Sequence, residues 1–103
     1  MDKQLENKLR LLKLDVLTFL HALSSSDAVA LDLEEISTST TTAESNLKGI
    51  ISTLLRMKIG EEAIIQPAGR DQKGRLRWKI NESVVEKNTL ANFLEKEILG
   101  KSY

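Results

Sequence analysis

Leu5, Leu9, Leu12, Val16, Phe19 and Leu23 recur at alternating steps of four and three, which is the period of one face of an amphipathic helix. This pattern predicts an N-terminal helix over residues 1–23. Leu11, Leu14, Leu17 and Leu20 widen the apolar stripe, so the helix is either covered on two sides, by its own domain and by a partner, or is an ordinary central helix. Ser24-Ser25-Ser26-Asp27 interrupts it, because these side chains compete with helical hydrogen bonding. Ala28-Val29-Ala30 then reads as a short extended segment. Asp32-Leu33-Glu34-Glu35 has the spacing of a capping box and opens a short helix over 32–37. Ser37-Thr38-Ser39-Thr40 reads as a turn. Thr41-Thr42-Ala43-Glu44 is a second capping box, opening a longer helix that runs to about Lys58 and stops at Gly60.

Beyond Gly60 the period changes from helical to alternating. Ala63-Ile64-Ile65 predicts a strand, Pro67-Ala68-Gly69 and the 71–74 stretch a loop, and Arg75 to Ile80 the return strand of a hairpin over 61–80. Asn88 or Thr89 caps a last helix over 88–99 that carries Leu90, Phe93, Leu94, Ile98 and Leu99. The order is long helix, short helix, turn, longer helix, hairpin, terminal helix. It describes one α+β domain over residues 1–103.

Composition narrows the function classes. With 103 residues, 41% apolar and 29% charged, the chain has the balance of a folded soluble domain. No apolar run approaches the roughly 20 residues of a membrane span, and the charged N-terminus carries no signal-peptide core, so a cytoplasmic setting is expected. Cysteine is absent and His21 is the single histidine. No thiolate site, histidine-assisted triad or glycine-rich phosphate loop is present. An enzyme, a metal, a cofactor and a small-molecule ligand are therefore not expected. Asn81-Glu82-Ser83 matches a glycosylation sequon, taken as chance without a secretion signal.

Net charge is zero, but its distribution is not even. Residues 27–47 hold five acids and no Lys or Arg, while residues 48–79 hold eight bases against three acids. The chain is dipolar, and a basic face can bind a polyanion whatever the total. The densest cationic stretch alternates Arg75, Arg77 and Lys79 with Leu76, Trp78 and Ile80.

LDLEEISTSTTTAESNLKGIISTLLRMKIG, with AIIQPAGRDQKGRLRWKI after it, resembles the winged helix-turn-helix superfamily in element order and spacing. These stretches cover about half the chain. DQKGR loosely resembles the Asp/Arg-bearing wing of MarR-type regulators. The resemblance implies a mainly helical fold with a two-stranded β-hairpin wing and flanking N- and C-terminal helices. It also implies double-stranded DNA binding and base-reading residues on the second motif helix.

Projected at 100° per residue, that helix places Ala43, Leu47, Ile50, Ile51 and Leu54 on a core face. Thr42, Ser45, Gly49, Ser52 and Arg56 fall opposite, with Thr41 and Lys48 at the flanks. A face with so little bulk suits a major groove about 12 Å wide. It equally suits a tight helix–helix contact or plain solvent. Gly49 costs roughly 1 kcal/mol of helix propensity relative to Ala, which close approach of another surface would explain. On the hairpin, Leu76, Trp78 and Ile80 are expected inward. Arg75, Arg77 and Lys79 are expected outward, about 6.7 Å apart, tracking phosphates, with Arg70 and Lys73 reaching from the loop. An edge strand with cations that block aggregation is the plainer reading of the same row.

The expectation is a homodimeric DNA-binding transcriptional regulator, its dimer contact made by Leu5, Leu9, Leu12, Val16, Phe93, Leu94 and Ile98. The alternative is a winged helix used as a protein-interaction module. The acids decide between them: Asp32, Glu34 and Glu35 must point away from the wing cations or be neutralised for DNA to bind.

Overall fold

The computed structural model describes residues 1–99. These residues fold as α+β, with five α-helices, a three-stranded antiparallel sheet and a separate two-stranded ladder among them. The N-terminal stripe is not one helix. α1 (Lys3–Arg10) ends at Leu11, and α2 (Leu14–Ser25) begins after Lys13, whose backbone is extended. The amide of Leu12 donates to the Leu9 carbonyl at 3.1 Å, tightening the last turn of α1. The Asp2 carboxylate caps α1 through the Gln4 amide at 2.9 Å. A straight helix over 1–23 would be about 35 Å long, close to the 38 Å longest dimension of the molecule. The elbow instead lets Leu5 and Leu9 enter the same core as Val16, Phe19, Leu20 and Leu23. α2 is thus a central helix, packed against α3, α4, the sheet and the C-terminal helix.

β1 (Leu31–Asp32) follows, one step beyond the expected extended segment. α3 (Leu33–Thr40) opens on the predicted capping box. Asp32 accepts from the Glu35 amide at 2.9 Å, and Glu35 accepts from the Asp32 amide at 3.0 Å. The Ser/Thr run expected as a turn is helical, and its hydroxyls bond back to carbonyls of the preceding turn: Thr38 to the Glu34 carbonyl and Thr40 to the Ile36 carbonyl. The turn falls at residues 41–43, and the second capping box does not form. Thr41 is left-handed (φ 53°), and α4 (Glu44–Arg56) starts from Ala43 with no side-chain cap. The amide of Thr42 reaches the Ser37 carbonyl at 3.2 Å, closing α3 in the manner of a Schellman motif.

β2 (Lys58–Ile59) and β3 (Glu62–Ala63) pair around Gly60 (φ 68°). β4 (Ile65–Arg70) and β5 (Leu76–Ile80) form the predicted hairpin, irregular between Pro67 and Arg70. β5 is the central strand, because β1 pairs with its other edge: Leu31 opposite Trp78, Asp32 opposite Arg77. Trp78 and Ile80 point into the core as expected, and Leu76 is half-buried against it.

Buried Asn81 pins the end of β5. Its amide donates to the Ile64 carbonyl at 2.8 Å, its side chain donates to the Ala63 carbonyl at 3.0 Å and accepts from the Ser83 amide at 3.1 Å. α5 (Lys87–Phe93) starts from Glu86, ahead of the expected Asn88 or Thr89, and continues as a π-helical segment, Leu94–Leu99. Among the described residues no helix is long and apolar enough to cross a membrane.

Candidate nucleic-acid interface

α4 is held by Leu47, Ile50, Ile51 and Leu54, all buried, and this fixes which face it turns outward. Ser45, Lys48, Gly49, Ser52 and Arg56 are exposed, Thr41 is exposed at the joint with α3, and Thr42 is half-buried. A Cβ on Gly49 would meet nothing within 4 Å. Packing inside the protomer therefore does not explain this glycine. The expected core residue Ala43 is exposed at the helix start.

The hairpin tip is a tight polar turn. Asp71 accepts from the amides of Lys73 and Arg75, both at 2.9 Å, and Gly74 is left-handed (φ 79°). Arg70 donates to the Gly74 carbonyl at 2.8 Å, bracing the turn from the opposite strand. Arg70 and Lys73 are exposed.

The expected row of three free cations is not present. Arg75 forms ion pairs with Glu34 of α3 (3.5 Å) and Glu44 of α4 (3.7 Å), so its charge ties the wing to both helices of the motif. Arg77 is half-buried along the sheet. Its Nη2 donates to the Ala68 carbonyl at 3.2 Å, while its Nε is buried without a hydrogen-bond partner. Lys79 is half-buried too. The physical reason is the third strand. β1 on the outer edge of β5 sets Asp32 opposite Arg77 and brings the start of α3 over the row.

Asp32 is 6% exposed and meets the Asp71 carboxyl. Sharing a hydrogen bond with Asp71 raises Asp32 above the ordinary carboxylate value, and burial adds to this, while the Glu35 amide pulls the other way. Asp71 is lowered by the same hydrogen bond and by the amides of Arg75 and Lys73. Of the two carboxyls that meet between the start of α3 and the wing tip, Asp32 is the one that keeps its proton to higher pH.

The clusters expected to face a partner chain are largely internal. Leu5, Leu9, Val16 and Leu94 fill the protomer's own core, and Leu12 and Phe93 are half-buried against it. The elbow in the N-terminal stripe is what turns these leucines inward. The side chain of Ile98 lies outside the described residues. Among the described residues, the large apolar side chains left exposed are instead Met1, Leu11, Leu14 and Val29. His21 is half-buried with Nε2 3.0 Å from Glu95 Oε1, a tie between α2 and the C-terminal helix. No group of acids and histidine suited to a metal occurs among the described residues.

Two clefts flank α4. On one side Leu33, Ile51, Leu76 and Trp78 floor a cleft of about 380 Å³ rimmed by Glu44, Lys48 and Arg75. On the other, Ser45, Asn46, Gly49 and Thr53 face Leu11, Leu12, Lys13, Asp15 and Val16 of the elbow across a groove. The acid contacts of the wing were missed at the sequence level because Arg75 and its partners lie far apart along the chain. The only visible signal was the acid-rich block itself. No protein-family model matches the chain, and neither does any curated protein or solved structure.

Proposed function

We propose that this chain is a winged helix domain that binds double-stranded DNA, with α4 in the major groove and the β4–β5 tip against the backbone. The carrying observation is α4: its outer face is exposed, small and polar, ends in a cation, and holds a glycine that no neighbour requires. Two helices joined by a three-residue turn, then a hairpin whose second strand pairs with β1, are the parts a winged helix uses. Lys48 and Arg56 on α4 with Arg70 and Lys73 on the wing tip supply the phosphate contacts. Arg75 and Arg77 hold the wing in place, and Lys79 contributes little. Arg75 pairs with both Glu34 and Glu44 and offsets one of their two charges, so an acidic excess remains on this face beside Lys48. The role this supports is transcriptional regulation.

A second reading is favoured by the same clasp. Acids lie on the face of the wing cations, which suits a protein-interaction module better than a DNA-binding surface. Fluorescence anisotropy with random-sequence duplex, titrated across salt, separates the two. Four phosphate contacts give a slope of log affinity against log salt of about −3 to −4. Arg56→Glu with Lys73→Glu should abolish binding. Glu34→Gln with Glu44→Gln should tighten it several-fold by releasing Arg75. A folded protein that shows no salt-sensitive binding refutes the DNA reading and leaves the interaction module.

A further inference from the structure

Asp32 is a buried acid with two attachments. One oxygen caps α3, accepting from the Glu35 amide at 2.9 Å. The carboxyl also shares a hydrogen bond with Asp71. Asp71 is itself fixed, accepting from the amides of Lys73 and Arg75 at 2.9 Å, so the shared bond joins the wing tip to the start of α3. A hydrogen bond between two carboxyls needs a proton, and without it two like charges face each other. The surroundings do not offset the second charge. An open cavity of about 730 Å³ between α3 and the tip gathers Asp32, Glu34, Glu35 and Asp71 with Lys73 and Arg77, four acids against two bases. Arg75, beside them, is engaged with Glu34 and Glu44. Lys73 belongs to the tip and moves with it. Arg77 has an unused donor: it stands opposite Asp32 on the paired strand, and its Nε is buried without a partner. Residues opposite one another on paired strands leave the sheet on the same face.

We infer that Asp32 and Asp71 form a proton-operated latch: protonated, Asp32 donates to Asp71 and docks the wing tip on the start of α3; ionised, it turns to the Arg77 Nε and the tip comes away. Asp32 is the carboxyl that keeps its proton to higher pH. The latch is therefore closed in acid and opens as pH rises through the raised Asp32 value. The cap of α3 survives in both states, because the oxygen held by the Glu35 amide is not the one that changes partner. Arg75 keeps its ion pairs, so β5 stays on α3 and α4 and the motion is confined to the turn at residues 71–74. That turn carries Lys73 and is braced by Arg70, so the proton sets where the cations of the tip stand. The inference does not depend on DNA binding, and its test contains no DNA.

Paramagnetic broadening is the experiment, run over the pH range in which circular dichroism shows the fold intact. The chain has no cysteine, so Gln72→Cys, at an exposed site on the tip, takes a single nitroxide label. The amides of Glu34 and Glu35 report its distance. With no other change, their broadening should be strong in acid and fall several-fold as pH rises through the Asp32 midpoint, which carboxyl carbon NMR locates in the unlabelled chain. The Arg77 Nε–H signal should shift with the same midpoint. Asp71→Asn keeps an oxygen for the amides of Lys73 and Arg75 and supplies Asp32 with an N–H donor that pH does not remove. In that background the broadening should stay strong throughout. Glu35→Gln removes the titrating acid of the capping box and keeps its acceptor oxygen, and the pH dependence should persist. Broadening that does not change with pH before either substitution overturns the inference. So does a fall that Asp71→Asn shares, or one that Glu35→Gln abolishes.

Discussion

Thr41 holds φ at 53°, a conformation that costs an L-residue about 1–2 kcal/mol and a β-branched one toward the upper end. Its side chain is exposed and makes no hydrogen bond to a described residue, so replacing it removes no contact. Thr41→Gly relieves the steric cost, but glycine surrenders about 0.5–1 kcal/mol more backbone entropy on folding. The difference is a gain of about 0.5–1 kcal/mol. For a domain of this size 1 kcal/mol moves Tm by about 4–8 °C, so Thr41→Gly should melt about 2–8 °C higher. Thr41→Ala, which loses the branch but keeps a Cβ, should move much less. Thermal and urea unfolding followed by circular dichroism measure both variants, and an unchanged m-value confirms a common unfolded state. A glycine variant no more stable than the alanine variant would refute the argument, because the strain it invokes would then be absent. A positive result would identify the α3–α4 joint as a place where stability is given up to set the angle between the two helices.

Leu5→Ala should destabilise by about 2–5 kcal/mol, since Leu5 is fully buried within the protomer. Loss of less than 1 kcal/mol in urea unfolding would return α1 to the role of a peripheral helix. The carboxyls of Asp32 and Asp71 give a pH prediction with a definite sign. Asp32 titrates above 3.8 in the folded chain, so its contribution to stability is full at low pH and is lost as pH rises through that raised value. Asp71 is lowered, so its contribution is present above its ordinary value and lost as pH falls through the depressed one. Asp71→Asn removes the largest cause of the Asp32 shift, and carboxyl carbon NMR should find Asp32 titrating closer to 3.8. A midpoint that does not move contradicts the shared hydrogen bond.

What could be read from the sequence was local. The stripe Leu47, Ile50, Ile51, Leu54 set the inner face of α4, the Asp32 capping box set the start of α3, and alternation through Trp78 set the face of β5. Each depends on residues within a turn or a strand of one another. The elbow was hidden because the four-three spacing runs straight through it. Lys13 is no helix breaker, and only the requirement that Leu5 and Phe19 share one core bends the chain there. The Ser/Thr run was misread because hydroxyls that favour turns can also bond back to a helix carbonyl. The wing row was misjudged for another reason. Whether a cation is free depends on what pairs with the strand that carries it, and β1 reaches β5 only in three dimensions.

Asn81 has a consequence for how the chain can be produced. The nitrogen that a sugar-transferring enzyme would use is the one that donates to the Ala63 carbonyl, inside a side chain left 6% exposed. Folding and modification therefore compete for a single atom. In a bacterial cytosol only folding takes place. Routed through a eukaryotic secretory pathway, any copy modified before it folds would carry a bulky polar branch where β5 must close against the chain below β4. That copy could not complete the sheet, and the product would separate into a native, sugar-free population and a glycosylated one that never reaches this fold.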